Sequence, residues 1–453
     1  MAYTTIDDPS LNFRIKLYNG NNNAQNIAFD ETHENMQPDL LWIKSRAGAS
    51  VFNHVLGNSV SGGGKYLHPN TTAAEVSNAN VINTFNTNGF SVGGATFVSE
   101  GGRTYVAWGW KGGGSASSNS NGSITSSVSA NTTSGCSIVG FNGNNGTIGH
   151  GLGVKPDVII IKSRQTVNNW VVLHKNLTGG MDTNGIVLND TAAETDGGAG
   201  MAEPTSSVFT ITGGLAANDN NIALVFSEKK GFSKFGKYIG NGSSNGPFVY
   251  LGFRPAWVMI KVSSGNTGGW DIYDTKRGFN PNEEILQANS SSAESSNDAI
   301  DLLSNGFKIR NTTGNQNGSG NTHIYFAFAE SPFVNSNGVP TNARWFMKNP
   351  FIIGIIIASV LIWFLNGFMN SALGADTNTV SSTVVTNNTP PTANAPSVVV
   401  NNSDVCKTAA SAGVQTQILG IASGITVTDE NCERIKLSRS LYAMGMKVAA
   451  IST

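Results

Sequence analysis

Charge is scarce in this chain. Only 13% of its 453 residues are Asp, Glu, Lys or Arg, against roughly 25% in ordinary soluble domains. The formal net charge is −1, so no global field recruits nucleic acid or an anionic surface. Cysteine is rarer still, with three in the whole chain, too few for a disulfide framework. Cys136, beside Ile138 and Val139, reads as a buried, inert thiol. Catalytic signatures are missing too: there is no H-E-x-x-H, no Walker A loop and no CxxC. Nothing before residue 345 shows sustained helical periodicity. Asn, Ser, Thr and Gly stand in for charge, and they favour turns and exposed strand faces. That style suits a secreted or virion-surface β protein better than a cytosolic enzyme.

What the chain does have is one paragraph of sequence written three times. Each copy opens on an aromatic or apolar turn: Tyr18-Asn19-Gly20-Asn21, Phe141-Asn142-Gly143-Asn144 and Tyr238-Ile239-Gly240-Asn241. A proline then leads an apolar run ending in lysine: Pro38 to Lys44, Pro156 to Lys162 and Pro255 to Lys261. An Asn with a Glu five residues on comes next: Asn70 and Glu75, Asn189 and Glu194, Asn289 and Glu294. The closing runs are Thr104 to Trp110, Asn221 to Phe226 and His323 to Phe328. The unit recurs after roughly 100 to 120 residues, a domain's length and far above solenoid periods.

The run after each proline is short and β-branched, which predicts a buried strand. Downstream, Trp170, Val172 and His174, then Trp270, Ile272 and Asp274, alternate with period two. Asn88-Gly89-Phe90 and Asn305-Gly306-Phe307 predict turns with positive φ at glycine. Many short strands without strand–helix alternation predict an all-β fold, with a β-sandwich or jelly roll for each repeat. The expected domains are 1–111, 135–232 and 233–344, with 112–134 as a flexible Gly/Ser linker. Domains two and three, joined at Glu228 to Lys237, are expected to dock while domain one swings.

The style changes at Met347. Phe351 to Leu365 is a run of 15 apolar or small residues, borderline for a span of about 20, and 347–370 reads as a transmembrane or signal-anchor helix. Arg344 and Lys348 place its N-terminal side in the cytoplasm and its C-terminal side outside. Residues 371–403, rich in Thr, Val, Asn and Pro, are expected to be a disordered spacer. Residues 404–453 are expected to form a small helical module, with Leu437, Leu441, Met444 and Val448 as one apolar stripe. Outside the cytoplasm Cys406 and Cys432 are a candidate disulfide. Two origins are open for this part: a membrane-anchored fusion, or two adjacent reading frames joined.

Candidate functional residues are few. Asn70, Glu75, Asn189, Glu194, Asn289 and Glu294 recur in every copy. Their oxygens suit a Ca2+ ion or sugar hydroxyls, or else they tie a loop to backbone amides; no other cofactor is expected. Trp170 and Trp270 beside Asn-rich loops are candidate sugar-stacking rings. His54 and His174 stand about ten residues after the lysine in copies one and two, without a counterpart in copy three, so they are not a shared catalytic group. Lys44, Arg46, Lys162 and Arg164 end buried strands, where charges are expected to reach solvent.

With these anchors, residues 10–344 resemble a repeated domain of structural, tail-fibre-like proteins of marine tailed bacteriophages. The resemblance rests on the Y-x-G-N-G opening, the P-D-x-x-x-I-K strand, the N-x-T-A-A-E loop, the N-G-F turn and the Y-V-A-W closing strand. Copy two departs with Gly213-Gly214-Leu215 at the turn, and copy three with Ala256 for Asp. The last 107 or so residues resemble a separate small phage membrane protein. The resemblance implies a non-enzymatic virion component with jelly-roll or lectin-like domains, exposed on the virion. Its expected partners are other virion proteins, a host-surface glycan and further copies of itself, for instance as a trimer. A host-polysaccharide depolymerase and a membrane-anchored spike or lysis-type protein are the rival readings.

Overall fold

Period-two alternation becomes strands throughout the first 340 residues. The computed structural model describes residues 3–29, 34–47, 51–196, 201–213, 219–278, 282–340, 407–415 and 420–428. The first repeat folds as β1 (Phe13–Asn19), β2 (Gln25–Ala28), β3 (Leu40–Ser45), β4 (Val55–Asn58), β5 (Lys65–Tyr66), β6 (Val76–Ser77), β7 (Ile82–Asn86), β8 (Gly89–Val92) and β9 (Thr104–Trp110). Strands β10 (Ser117–Asn119) and β11 (Ser126–Asn131) follow. The second repeat supplies β12 (Cys136–Asn142), β13 (Asn145–Gly149), β14 (Val158–Ser163), β15 (Val171–His174), β16 (Asn184–Val187), β17 (Thr195–Asp196), β18 (Val208–Thr212) and β19 (Asn220–Phe226). The third supplies β20 (Ser233–Ile239), β21 (Phe248–Tyr250), β22 (Phe253–Ser264), β23 (Trp270–Asp274), β24 (Asn282–Gln287), β25 (Ser295–Leu303), β26 (Gly306–Ile309) and β27 (Thr322–Pro332).

Each repeat uses the same inner sheet. The closing strand lies between the opening strand and the post-proline strand, giving β1-β9-β3-β4, β12-β19-β14-β15 and β20-β27-β22-β23, all antiparallel. A smaller layer, β2-β8-β7 in the first repeat and β13-β18 in the second, covers the outer face. Alternation then sorts the side chains. Leu41, Ile43, Tyr105 and Ala107 fill the outer core of the first repeat with Ile27, Phe90 and Val92. Their neighbours Leu40, Trp42, Val106, Trp108 and Trp110 point the other way, into a second core.

That second core is shared. Trp42 and Trp108 meet Ile138, Ile160, Trp170 and Leu224 of the second repeat and Trp257, Trp270, Phe326 and Phe328 of the third in one cluster. Trp108 and Trp110 pack edge-on against Trp257, at 6.4 and 5.7 Å between ring centroids. The repeats are therefore not three separate domains on a string, because the inner faces of the three sheets are buried in one common cluster.

The flexible linker expected at 112–134 is also corrected. Strands β10 and β11 lie in it, and β11 pairs antiparallel with β12 over Asn131↔Cys136 to Ser126↔Phe141. Ser and Gly are read as solvent-loving, but here small side chains are what fit beside an adjacent sheet. A Cβ on Gly112 would stand 2.9 Å from Ser129 Oγ and 3.0 Å from Asp39 Cβ. The first repeat does not swing, since β11 and the contacts described below tie it to both others.

The Asn88-Gly89-Phe90 turn forms as expected, whereas Gly306 of Asn305-Gly306-Phe307 does not take the positive φ expected of it. Gly89 has φ +114 and joins β7 to β8, and a Cβ there would meet Ile27 O at 2.1 Å. In the second unit, Asn349–Thr453, the described residues form a hairpin of β28 (Lys407–Gln415) and β29 (Gly420–Thr428) in the first half of the expected helical module 404–453, and the expected helical stripe of Leu437, Leu441, Met444 and Val448 lies outside the described residues. The hairpin's β-branched Ile425-Thr426-Val427-Thr428 run favours strand. The expected span at 347–370, the spacer at 371–403 and the Cys406–Cys432 pair lie outside the described residues. Among those described, no helix is long and apolar enough to cross a membrane.

Candidate functional site

The recurring motifs converge on three seams, where the Asn-to-Glu loop of one repeat lies on the strand ends of another. The strand register shows which residues correspond: β3–β4, β14–β15 and β22–β23 align His54 with Trp170 and Trp270, and Asn58 with His174 and Asp274. The spacing that set His54 beside His174 was four residues out of register. Asn70 Oδ1 accepts from His54 N–H at 3.0 Å, Asn189 Oδ1 from Trp170 N–H at 2.8 Å, and Asn289 Oδ1 from Trp270 N–H at 2.9 Å. Each recurring Asn thus holds its own loop.

The rings on that position reach across. Trp170 Nε1 donates to His68 O at 3.0 Å and Trp270 Nε1 to Val187 O at 2.9 Å. His54 does the same towards Gln287 O, 2.9 Å from Nε2. Its Nδ1 accepts from Trp42 Nε1 at 2.8 Å, which fixes the neutral tautomer with the proton on Nε2. Burial holds the His54 pKa well below the ordinary range, and the charge of Lys44 adds to this.

Two residues beyond each Asn, a carbonyl accepts the strand-end lysine: Lys162 Nζ to Thr72 O at 3.2 Å, Lys261 Nζ to Thr191 O at 3.1 Å and Lys44 Nζ to Ser291 O at 3.2 Å. These lysines were expected to reach solvent. Instead they are buried, and burial lowers the pKa of each to about 8. They stay ammonium ions at neutral pH, with carbonyls in place of water. At the loop's end, Glu75 N–H donates to Arg164 O, Glu194 N–H to Ser263 O and Glu294 N–H to Arg46 O, each at 2.8 Å. The seams run from repeat one to two, two to three and three back to one, so the ring is closed.

The glutamate side chains finish two of the seams. Glu75 grips Arg164 with both oxygens at 2.7 Å. Glu294 takes Arg46 at 2.7 Å and Arg277 at 2.9 Å. Arg277 is wholly buried, reaches Asp274 at 2.5 Å and lies 5.6 Å from the Trp108 ring centre. Asp274 in turn accepts from Trp108 Nε1 at 3.0 Å. In the remaining seam Ser263 stands where the arginine would be, and Glu194 turns to Thr178, bonding its N–H at 2.8 Å and its hydroxyl at 2.6 Å.

The sequence-predicted ligand residues therefore serve the framework. Trp170 and Trp270 are fully buried and present no face for a sugar. The carboxylates of Glu75 and Glu294 are occupied by guanidinium groups, which leaves no oxygen set for Ca2+. Among the described residues no three His, Cys, Asp or Glu side chains stand together as a metal would need. Cys136 is free and buried, and burial pushes its thiol pKa up. The aromatic side chains that do reach solvent were missed: Phe248 and Tyr250 are 46% and 49% exposed on β21. Tyr3 OH lies 3.4 Å from Tyr250 OH, with Lys230 over the Tyr3 ring and Lys234 over Tyr250. No motif marks them, because they come from the edge of one repeat and the start of the chain.

A family model described as a domain of unknown function, DUF7483, matches residues 8–332. The chain belongs to this family. The match takes in all three repeats as one unit, in keeping with the shared core. No curated protein and no solved structure matches the chain.

Proposed function

We propose that this DUF7483 protein is a non-enzymatic structural component of a virion, of tail-fibre or decoration type, carrying lectin-like β sandwiches to a host surface. The observation that carries this reading is the use made of the thrice-repeated polar groups, which close the ring instead of facing a cleft. A depolymerase needs two carboxyl groups about 5 to 10 Å apart and open to a glycan. Here Asp271 and Asp274 are buried, with Gln287 and Gln316 on the first and Arg277 on the second. Burial raises Asp271 to about 6, but no channel is needed to explain it.

A scaffold closed in this way holds its surface residues rigidly, which favours weak multivalent contact when several copies are displayed. The surface we assign to host glycan is Tyr3, Phe248 and Tyr250 with Lys230 and Lys234, since rings stack on sugars and ammonium groups meet anionic ones. Binding of the purified protein to host cells, compared with a Phe248→Ala/Tyr250→Ala double variant, tests it. The reading expects at least tenfold weaker binding by the variant, with an unchanged melting temperature. Release of reducing ends from host polysaccharide would replace it with the depolymerase.

A further inference from the structure

The opening strands β1, β12 and β20 occupy equivalent places, and each has an outer side facing the preceding member of the ring. That side is treated differently in all three. Beside β12 it is filled by β11, which lies between β12 and the Asp39 and Gly112 of the first repeat. Beside β20 it is plugged by side chains: Glu228 Oε1 accepts the outward N–H of Phe235 at 2.7 Å, and Lys175 bonds both Glu228 and Asp157, at 2.7 and 3.0 Å. Beside β1 there is neither. The residues that would make the plug are Ala256, Thr275 and Glu330, and Glu330 pairs with Arg254 instead. A cleft of about 680 Å3 lies there, bordered by β1 together with Ala256, Thr275, Lys276 and Ala329.

The edge is ready for a strand. Gly20 N–H reaches across to Arg103 O, so even-numbered residues of β1 point their backbone groups at β9. Phe13, Ile15 and Leu17 point theirs outward, and among the described residues no strand pairs with β1 on that side. Exposed edges of this kind are templates for strand addition. The charged lining of the cleft is Arg14, Lys16 and Lys276 beside Asp8 and Glu330, and Glu330 is paired with Arg254, whereas Lys16 and Lys276 form no ion pair with a described carboxylate. We propose that this cleft accepts an extended segment of a partner protein, of small side chains with one carboxylate, added antiparallel to β1. The molecule supplies the precedent itself, since β11 (Ser126 to Asn131) occupies the corresponding groove with only small and uncharged residues.

The register of β11 designs the test. Val128 faces Val139, the counterpart of Lys16, so aspartate at that position of a bound strand would meet Lys16. Two peptides are used with the full chain: the sequence of residues 124–132, and the same sequence with aspartate in place of its valine. Hydrogen exchange is followed in residues 13–19. The proposal expects slowed exchange there with both peptides and roughly two- to fivefold tighter binding of the aspartate form, the size of a cross-strand charge pair. Lys16→Glu should reverse that preference without touching the ladder to β9. Ile15→Pro, which removes an outward N–H together with a side chain packed on the shared core, should abolish protection while the melting transition, though lowered, stays single and cooperative. Protection of residues 136–142 instead, or none at millimolar peptide, would overturn the proposal. Protection of 13–19 that grows with protein concentration alone would overturn it too, assigning the edge to a second copy.

Discussion

The seam from repeat one to two and the seam from two to three carry the same backbone contacts and different side chains. Glu75 meets Arg164 in the first, while Glu194 finds Ser263 in the second and turns to its own Thr178. In both, the glutamate N–H reaches the facing carbonyl at 2.8 Å and the strand-end lysine reaches the loop at 3.1 to 3.2 Å. The register of loop on strand is what the ring requires; the ion pair is an addition that one seam does without. This agrees with the small net worth of partly exposed pairs beside the cost of an unpartnered buried group.

Truncating the ring that crosses a seam should do most damage. Trp170→Ala removes a fully buried side chain and its bond to His68 O, and should cost about 3–5 kcal/mol in denaturant unfolding. Loss below 1 kcal/mol would mean the seam is not packed as described. Arg277→Ala leaves Asp274 and Glu294 with less compensation in a buried place and should cost about 3–5 kcal/mol. Arg164→Ala, at a more open pair, should cost about 1–3 kcal/mol, clearly less than Arg277→Ala.

Acid should weaken the ring through histidine. Burial lowers His54 well below its ordinary value and His174 to about 3. An unfolded histidine takes its proton near pH 6.5. Below that pH the unfolded state binds more protons, so stability is full above about 6.5 and falls as pH drops towards the folded values. Each histidine contributes up to about 1.4 kcal/mol per pH unit. His54→Gln should flatten this slope, as seen by melting between pH 7 and 4. The smallest effect sharpens the opening comparison: Ser263→Arg supplies the missing partner of Glu194 and should gain up to about 1 kcal/mol. A loss instead would show that Glu194 is needed on Thr178.

Much of the fold was legible because strands announce themselves locally. The post-proline runs, the closing strands and the Asn88-Gly89-Phe90 turn depend on period two and on one glycine, and these appear where sequence puts them, while Gly306 lacks the positive φ expected of it. What was not legible depends on residues far away. Trp170 looks exposed beside Asn-rich loops, yet its burial and its Nε1 partner come from another repeat, 102 positions off at His68. Lys44 looks like a solvated strand end until Ser291, 247 residues later, covers it. Residues 112–134 have a linker's composition, and only the neighbouring groove makes small side chains a strand. The ring closure from Glu294 to Arg46 could have been suspected from the recurrence of Glu with an arginine two residues after the lysine in copies one and two.

The central claim is that the three repeats fold as one closed unit. Scanning calorimetry of the full chain tests it most directly. One transition for residues 1–340, with calorimetric and van't Hoff enthalpies equal, is what a shared core and three mutual seams predict. Three resolved transitions, each of single-repeat size and each unmoved by Trp170→Ala in the others, would contradict it.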